Sequence, residues 1–523
     1  MESKTLKRPV PIDGLSRVDG RLKVTGSAKY SAEYKVDGVT YGVLVGSTIT
    51  SGTIKSLDTK KAEQAPGVLS VITYLNCPNI PGYHVDNPPP KGPLKIFVDN
   101  KVYFNGQPIA LVVADTFERA LYAASLVKAD YNKEAHQTDL KSNIANGAAP
   151  HNAKDYVRGQ EDAYKSAPIK VEQEYILPTE VHNPMELHAI IARWDADDKV
   201  TVWDKTQGVK STQRSIATAF KLPPDNVQVN APFVGGAFGS ALRTWPHEIA
   251  AVVASKVVKR PVKLVLGRAD MFTSVGYRPY TWQKIGLGAT ADGKLVGITH
   301  EAAGQTSVYE DFTEGAVNIS QLMYACPNVN TRYKLVSLNV NTPTPMRGPG
   351  EATGAYALES AMDELSYTLN IDPIELRLRN HADTDPLSGK PYSSKFLKEA
   401  YQLGADKIGW NERGQKPGSV TKDGWLVGYG MGAGMFGAYR STATVNAKMM
   451  ADGSLILQTA VTDIGPGTGT AMATIASDVM GIPAEKITVK IGDSSLPPSP
   501  TQGGSQVTST VGSAVYDACT ELK

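Results

Sequence analysis

The stretch "GSLILQTAVTDIGPGTGTAMATIASDVMGIPAEKITVKIGD", residues 453–493, changes its hydrophobic period twice. Its opening, "GSLILQTAVTD" (453–463), is rich in branched apolar residues and reads as a strand. A glycine turn follows, and "GTAMATIASDVMG" (469–481) reads as an apolar helix ended by Gly481. The last part, "KITVKIGD" (486–493), is strand-like again. The same order of strand, glycine turn, helix and strand runs through residues 226–267. There the segments are "NVQVNAPFV" (226–234), "VGGAFGS" (234–240), "HEIAAVVASKVV" (247–258) and "RPVKLVLG" (260–267). Two related β–loop–α–β units, with no short-period repeat, place the chain in the α+β class.

The rest of the chain is organised around these units. "YGVLVGSTI" (41–49), "VLSVITYL" (68–75) and "QPIALVVAD" (107–115) are strand-like, and "TKKAEQAPGV" (59–68) is a short helix closed by Pro-Gly. "TFERALYAASLVKADY" (116–131) reads as a helix with Thr116 as its N-cap. This first α+β unit spans 15–135. The polar, Asn- and Ala-rich stretch after it reads as a linker over 136–160. A larger domain is expected over 161–410. Its strands include "IKVEQEYIL" (169–177) and "KVTVWDKT" (199–206), and it closes on the amphipathic helix 354–370 and a short helix opened by Pro373. A last, incomplete domain is expected over 411–523.

Several functions are excluded. A net charge of +2, from 54 basic and 52 acidic residues, gives no handle for nucleic acid. Cys77, Cys326 and Cys519 are far apart, so neither a cysteine-held iron–sulfur cluster nor a disulfide framework is expected within the chain. The N-terminal "MESKTLKRPVPIDGLSRVDG" has no apolar core of a signal peptide, and no apolar run reaches membrane-spanning length. A cytoplasmic protein with no membrane partner is expected; periplasmic location by co-export with a folded partner would leave no signature here. Gly432, Gly434 and Gly437 fit G-x-G-x-x-G, but an alternating segment follows where a dinucleotide fold needs a helix. Walker A, HExxH and GxSxG patterns are missing. His182, in "EVHNPMELH", reads as a structural turn residue.

What remains is a set of glycine loops: "VGGAFGS" (234–240), "MRGPGEATG" (346–354), "DIGPGTGT" (463–470) and "TQGGSQVTST" (501–510). Each alone reads as a turn. Together they are nearly uncharged, two run directly into helices, and Thr468, Thr470, Ser505 and Thr508 add hydroxyls. Helix N-termini present unpaired N–H groups to anions. A neutral cage of such donors suits one large buried anion such as a pyrophosphate, because charged side chains there would be costly to desolvate.

The ordered loops resemble those of the molybdenum-binding large subunit of the xanthine dehydrogenase / aldehyde oxidase family of molybdenum hydroxylases. "SRVDGRLKVTGSAKYSAEY" (16–34) and "VYFNGQPIALVVADTFERA" (102–120) are similar to its N-terminal α/β-hammerhead domain. "EVHNPMELHAIIARWD" (180–195), "VWDKTQG" (202–208), "RPVKLVLGRADMFTSVGYRP" (260–279), the arginine loop and the last two glycine loops follow in family order, from about residue 15 to the end. The resemblance implies molybdopterin-binding α+β domains after the hammerhead. It implies a molybdopterin cofactor, in the cytosine dinucleotide form of bacterial relatives, that hydroxylates an aldehyde or aromatic heterocycle with water-derived oxygen. Two electrons would then leave to a small [2Fe–2S] subunit and an FAD subunit.

Residue by residue, Gln207, Phe238 and Gly239 match groups around a metal-bound oxygen, and Gly208 adjoins them. Arg347 matches the arginine beside substrate and metal. Gly465, Gly467, Thr468, Gly469 and Thr470, with Gly503, Gly504, Ser505, Gln506 and Thr508, match the pterin and dinucleotide loops. Pro466 stands where many members have glutamine. Leu242 takes the place of a purine-binding glutamate, which argues for an aldehyde or another neutral aromatic substrate. The family's general base lies in a Gly-x-Gly-Glu motif that the sequence does not reach before "VYDACTELK". Glu351 reads as a helix N-terminal carboxylate and not as its substitute. Without that base the chain would be a fragment or split subunit, and an inactive cofactor-binding scaffold is the alternative reading.

Overall fold

A computed structural model describes residues 16–83, 91–151, 154–414 and 416–523. Residue 15, where the first expected domain begins, and 152–153, within the expected linker, lie outside the described residues. The central layer is a seven-stranded sheet. Its order is Val227–Asn230, Lys199–Asp204, Ala189–Ala196, Val262–Val265, Thr40–Gly46, Pro108–Ala114 and Val68–Thr73. The N-terminal strand Thr40–Gly46 pairs in parallel with Val262–Val265, so the first unit and the next domain share one sheet. Pro108–Ala114 is buried at every position, as its unbroken apolar run requires.

Helix Pro246–Val258 lies on this sheet, with His247 to Ser255 all buried. Ala250, Ala251 and Ala254 are wholly inaccessible, and their small side chains let the helix approach the strands closely. A five-stranded sheet, Tyr156–Arg158, Val329–Leu338, Leu295–Ser307, Thr281–Ala289 and Ile169–Leu177, backs helix Glu351–Leu369. A three-stranded sheet of Asn446–Met449, Leu455–Gln458 and Ile487–Lys490 carries helices Thr468–Met480 and Val507–Leu522.

The repeat is real, but its first copy sits elsewhere than the sequence suggests. Val227–Asn230 and Val262–Val265 are separated in the sheet by two strands. The true counterpart of 455–490 is strand Lys199–Asp204, a Gly208 turn, helix Val209–Phe220 and the parallel strand Val227–Asn230. That matches Leu455–Gln458, a Gly467 turn, helix Thr468–Met480 and the parallel Ile487–Lys490. The two units abut where Asn230 bridges Asp493 and Ala231 N–H donates to Gly492 O at 2.7 Å. Two further expectations need correcting. The helix from 116 ends at Leu126, and Lys128–Lys133 is a polar edge strand paired with Gly52–Asp58. The expected linker is anchored, since Leu140 is 2% exposed against Val336 and Leu338, and Ala148 bridges Leu335. Thr116 does cap its helix, accepting from Arg119 N–H.

Helices Glu351–Leu369 and Pro373–Arg379 are locked by Arg377, whose side chain is wholly buried. It pairs with Glu359 at 2.8 Å and Asp363 at 2.9 Å. Glu359 also accepts Ala433 N–H at 2.8 Å, tying in the last domain. Glu359→Ala would leave the buried guanidinium with Asp363, partly exposed, as its one carboxylate beside the carbonyls of Pro373 and residue 359, at a cost of about 3–5 kcal/mol. A urea unfolding curve with the midpoint lowered accordingly is the expected result.

Candidate functional site

The loops singled out in the sequence converge on Gln207, which is 2% exposed at the turn between strand Lys199–Asp204 and helix Val209–Phe220. Its Oε1 accepts Gly239 N–H at 3.0 Å, and its Nε2 donates to Gln502 O at 2.6 Å. Its own carbonyl accepts from Thr462 Oγ1 and from Gln502 N–H, both at 2.8 Å. The buried carboxamide therefore ties the 239 and 502 loops together, and the backbone carbonyl of the same residue adds Thr462. Leu242 is half-buried against Gly503, where an added Cβ would meet Leu242 Cδ2 at 2.8 Å. Phe238 holds a left-handed backbone (φ 57°) with its ring half out in solvent. Its carbonyl accepts Arg347 N–H at 2.9 Å, which brings the arginine loop to the same place.

Four helices begin at these loops: Val209–Phe220 after Gly208, Glu351–Leu369 after Gly350, Thr468–Met480 after Gly467 and Val507–Leu522 after Gln506. None has a side-chain cap on its first turn. Three of the N-caps are glycine, which cannot supply one, and the leading amides of helices Thr468–Met480 and Val507–Leu522 face the loops, whereas Ala352 N–H is given to Gly348 O and Ser211 N–H to Gly208 O. The donors at Gly465 and Gly467 differ from the sequence expectation. Both donate to the Oδ1 of Asp463, at 2.8 and 3.3 Å, so this carboxylate shapes the turn from within. Arg17 closes over it, donating to Gly465 O at 2.9 Å. Glu351 is the first residue of its helix, and burial raises its carboxyl above the usual range.

Behind Gly239 lies a set of buried titratable groups with no sequence motif to announce them. His188 sits 2.9 Å from Ser240 Oγ, and that hydroxyl donates onward to Ala237 O. Lys205 Nζ donates to Glu186 O at 2.6 Å, and Glu186 Oε2 accepts Gly235 N–H at 2.7 Å. Both oxygens of Asp204 lack a hydrogen-bond partner among the described residues. Burial, helped by the Glu186 charge, pushes the Asp204 carboxyl up to about 8. Burial, opposed by the same charge, pulls the Lys205 ammonium down to about 8. Burial also raises Glu248, and Asp204 adds to it.

These shifts set a pH dependence. In the unfolded chain Asp204 would ionise near about 3.9. Between that pH and about 8 the folded chain holds a proton that the unfolded one releases, so stability falls as pH rises. Above about 8 folded Lys205 is neutral while its unfolded counterpart is still charged, and stability recovers. Buried His247 and His300, both held down to about 3, act with the opposite sign below about 6.5, so the Asp204 contribution is read as a difference: between about 6.5 and 8 the urea midpoint of Asp204→Asn should fall less with rising pH than that of the parent.

The donor set fits a pyrophosphate-bearing cofactor. Its amides lie at uncapped helix starts, and the one carboxylate beneath them, Asp463, is paired with Arg17 at 3.6 Å. Among the described residues no cluster of His, Cys, Asp and Glu could hold a metal ion directly, and no helix is long and apolar enough to cross a membrane. Three family models match the chain. The aldehyde oxidase and xanthine dehydrogenase a/b hammerhead domain matches residues 25–135, and two molybdopterin cofactor-binding domains match 138–381 and 403–523. The aldehyde oxidoreductase molybdenum-binding subunit PaoC of Escherichia coli strain K12 is 37% identical over 526 residues, covering 98% of this chain and 71% of that protein. The putative xanthine dehydrogenase molybdenum-binding subunit XdhA of the same organism is 28% identical over 501 residues, covering 90% of this chain and 66% of its own length. The solved aldehyde oxidoreductase from Desulfovibrio gigas superposes with a TM-score of 0.81 at 25% identity, covering 98% of this chain and 60% of that one.

Proposed function

The chain belongs to the aldehyde oxidase / xanthine dehydrogenase family of molybdenum hydroxylases, as a molybdenum-cofactor-binding subunit, and from that premise we propose that it serves aldehyde oxidation with a molybdopterin cytosine dinucleotide. The observation that carries this reading is the convergence of uncapped helix starts on the buried Gln207 strut. The cofactor, when bound, supplies hydroxylation of an electrophilic C–H carbon with water-derived oxygen and takes up two electrons.

The chain's own residues do the holding and orienting. Gln207, through the second hydrogen of its carboxamide, and the backbone of Phe238 would face the metal end; Gly239 N–H, expected there from the sequence, is instead given to Gln207 Oε1 and sets the shape of the loop. Thr468, Gly469 and Thr470, with Ser505, Gln506 and Thr508, offer amides and hydroxyls to the pterin and its phosphates. Gly208, Gly503 and Gly504 let the loops come close. Arg347 stands on the substrate side, exposed, with no hydrogen bond or ion pair from its guanidinium among the described residues. Leu242 offers an aliphatic contact that cannot bond a purine edge, which favours an aldehyde. The likeness to PaoC, itself a molybdenum-binding subunit, supports electron transfer to iron–sulfur and flavin groups on partner subunits, and Cys77, Cys326 and Cys519 are isolated free thiols.

The test is to produce the chain with cofactor assembly intact, measure bound molybdenum, and identify the nucleotide released by acid. About one molybdenum per chain and cytidine monophosphate are expected, as is dye-linked aldehyde oxidation once partner subunits are added. A chain without molybdenum or pterin fluorescence would overturn the reading. Molybdenum without turnover, partners present, would leave a cofactor scaffold.

A further inference from the structure

Three consecutive carbonyls in the arginine loop are each taken by a buried side chain. His182, 6% exposed, places Nε2 at 2.9 Å from Pro345 O and Nδ1 at 3.1 Å from Gly276 O. Arg278, 4% exposed, donates through Nη2 to Met346 O at 3.1 Å and to Arg347 O at 2.7 Å. Its Nη1 donates to Thr353 Oγ1 at 3.2 Å, and that hydroxyl donates to Glu314 Oε1 at 2.7 Å. The same Glu314 oxygen accepts Gly350 N–H at 2.8 Å. On the other side Glu180 pairs with Arg278 Nε at 3.1 Å. With Arg347 N–H given to Phe238 O, the backbone from 345 to 353 is pinned throughout, and the Arg347 guanidinium is its free end.

We propose that Arg278, seconded by His182, is a positioning residue that fixes Arg347 for substrate. A planar fork reaching two adjacent carbonyls and a hydroxyl sets both the place and the direction of the loop, which a point charge could not do. Ordering a loop of this length at the moment of binding would draw on substrate affinity, and the network removes that cost beforehand. This inference rests on the reading of Arg347 as substrate-facing.

The experiment uses the cofactor-loaded chain assembled with its partner subunits and an aromatic aldehyde. Arg278→Met is expected to raise KM about tenfold with kcat nearly unchanged, and Arg278→Lys to fall in between. Bound molybdenum should be unaltered. Arg347→Met should raise KM at least as much, and the double variant should show no more than Arg347→Met alone, because one residue acts through the other. Additive effects, an unchanged KM, or a loss of molybdenum in step with activity would overturn the proposal. Amide hydrogen exchange on the cofactor-free chain separates the two readings. Arg278→Met should speed exchange at 346–353 and spare helix Thr468–Met480, whatever Arg347 does for substrate. If exchange is faster but Arg347→Met leaves KM unchanged, the reading of Arg347 fails while its anchoring stands. Unchanged exchange defeats the anchoring itself.

Discussion

Gly239→Ala is expected to be among the most damaging single-methyl substitutions in the chain, and Gly465→Ala is its control. Both glycines have left-handed-side φ angles, 116° and 120°, which a side chain rarely adopts. They differ in what a Cβ would meet. At Gly465 nothing lies within 4 Å. At Gly239 the Cβ would fall 1.8 Å from Pro345 O, 2.8 Å from its carbonyl carbon and 3.2 Å from His182 Nε2. Backbone cannot yield as a flexible side chain can, so the two loops would have to part. Gly465→Ala should cost only backbone strain, about 1–2 kcal/mol. Gly239→Ala adds overpacking to that strain, for about 3 kcal/mol or more in total. It would also break the Gly239–Gln207 and Arg347–Phe238 hydrogen bonds, so metal binding should fail with it. Equal losses in urea unfolding for the two variants would show that the loops at 239 and 345 are not in fixed contact.

The site loops were legible because each is local. A glycine turn between a strand and a helix is written in consecutive residues, and family resemblance then assigns roles to single positions. What escaped the sequence has physical reasons. Helix Val209–Phe220, "VKSTQRSIATAF", is hard to see in the sequence because its buried face includes Thr212 and Gln213. Gln213 is satisfied by tertiary bonds, donating to Val227 O at 2.9 Å and Pro224 O at 3.0 Å, and no periodicity reports such bonds. Without this helix the pattern at 226–267 is the nearest match to the repeat, although its two strands are not neighbours in the sheet. Strand Lys128–Lys133 was lost for the opposite reason. It is an edge strand with polar residues on both faces, and it follows a real helix without a break in pattern. The Asp204, Lys205, His188 and Glu248 cluster had no chance of being read. Its members come from three strand or helix ends and meet only in the folded layer, where burial rather than spacing perturbs them.

Gln207→Leu should separate loop assembly from mere core packing. Leucine roughly keeps the volume but removes one acceptor and one donor, both at 2% residue exposure. Gly239 N–H and Gln502 O would then be left without the partners they hold at 3.0 and 2.6 Å. Each orphaned buried group costs about 1–3 kcal/mol, so the pair amounts to about 2–6 kcal/mol. Gln207→Glu is the informative companion. An ionised glutamate still accepts from Gly239 but turns its second oxygen toward the Gln502 carbonyl, an acceptor facing an acceptor. It therefore saves the 239 loop and releases the 502 loop. The leucine variant should lose both loops and with them nearly all bound molybdenum. Its buried charge adds to the cost of the unpaired Gln502 carbonyl, so the glutamate variant should be at least as destabilised in urea as the leucine one while losing the nucleotide end of the cofactor selectively. That outcome would be seen as accelerated amide exchange over 501–506 with 235–241 protected. If both variants bind molybdenum and exchange like the parent, the carboxamide is a bystander, and the loops are held together by the backbone contacts around it.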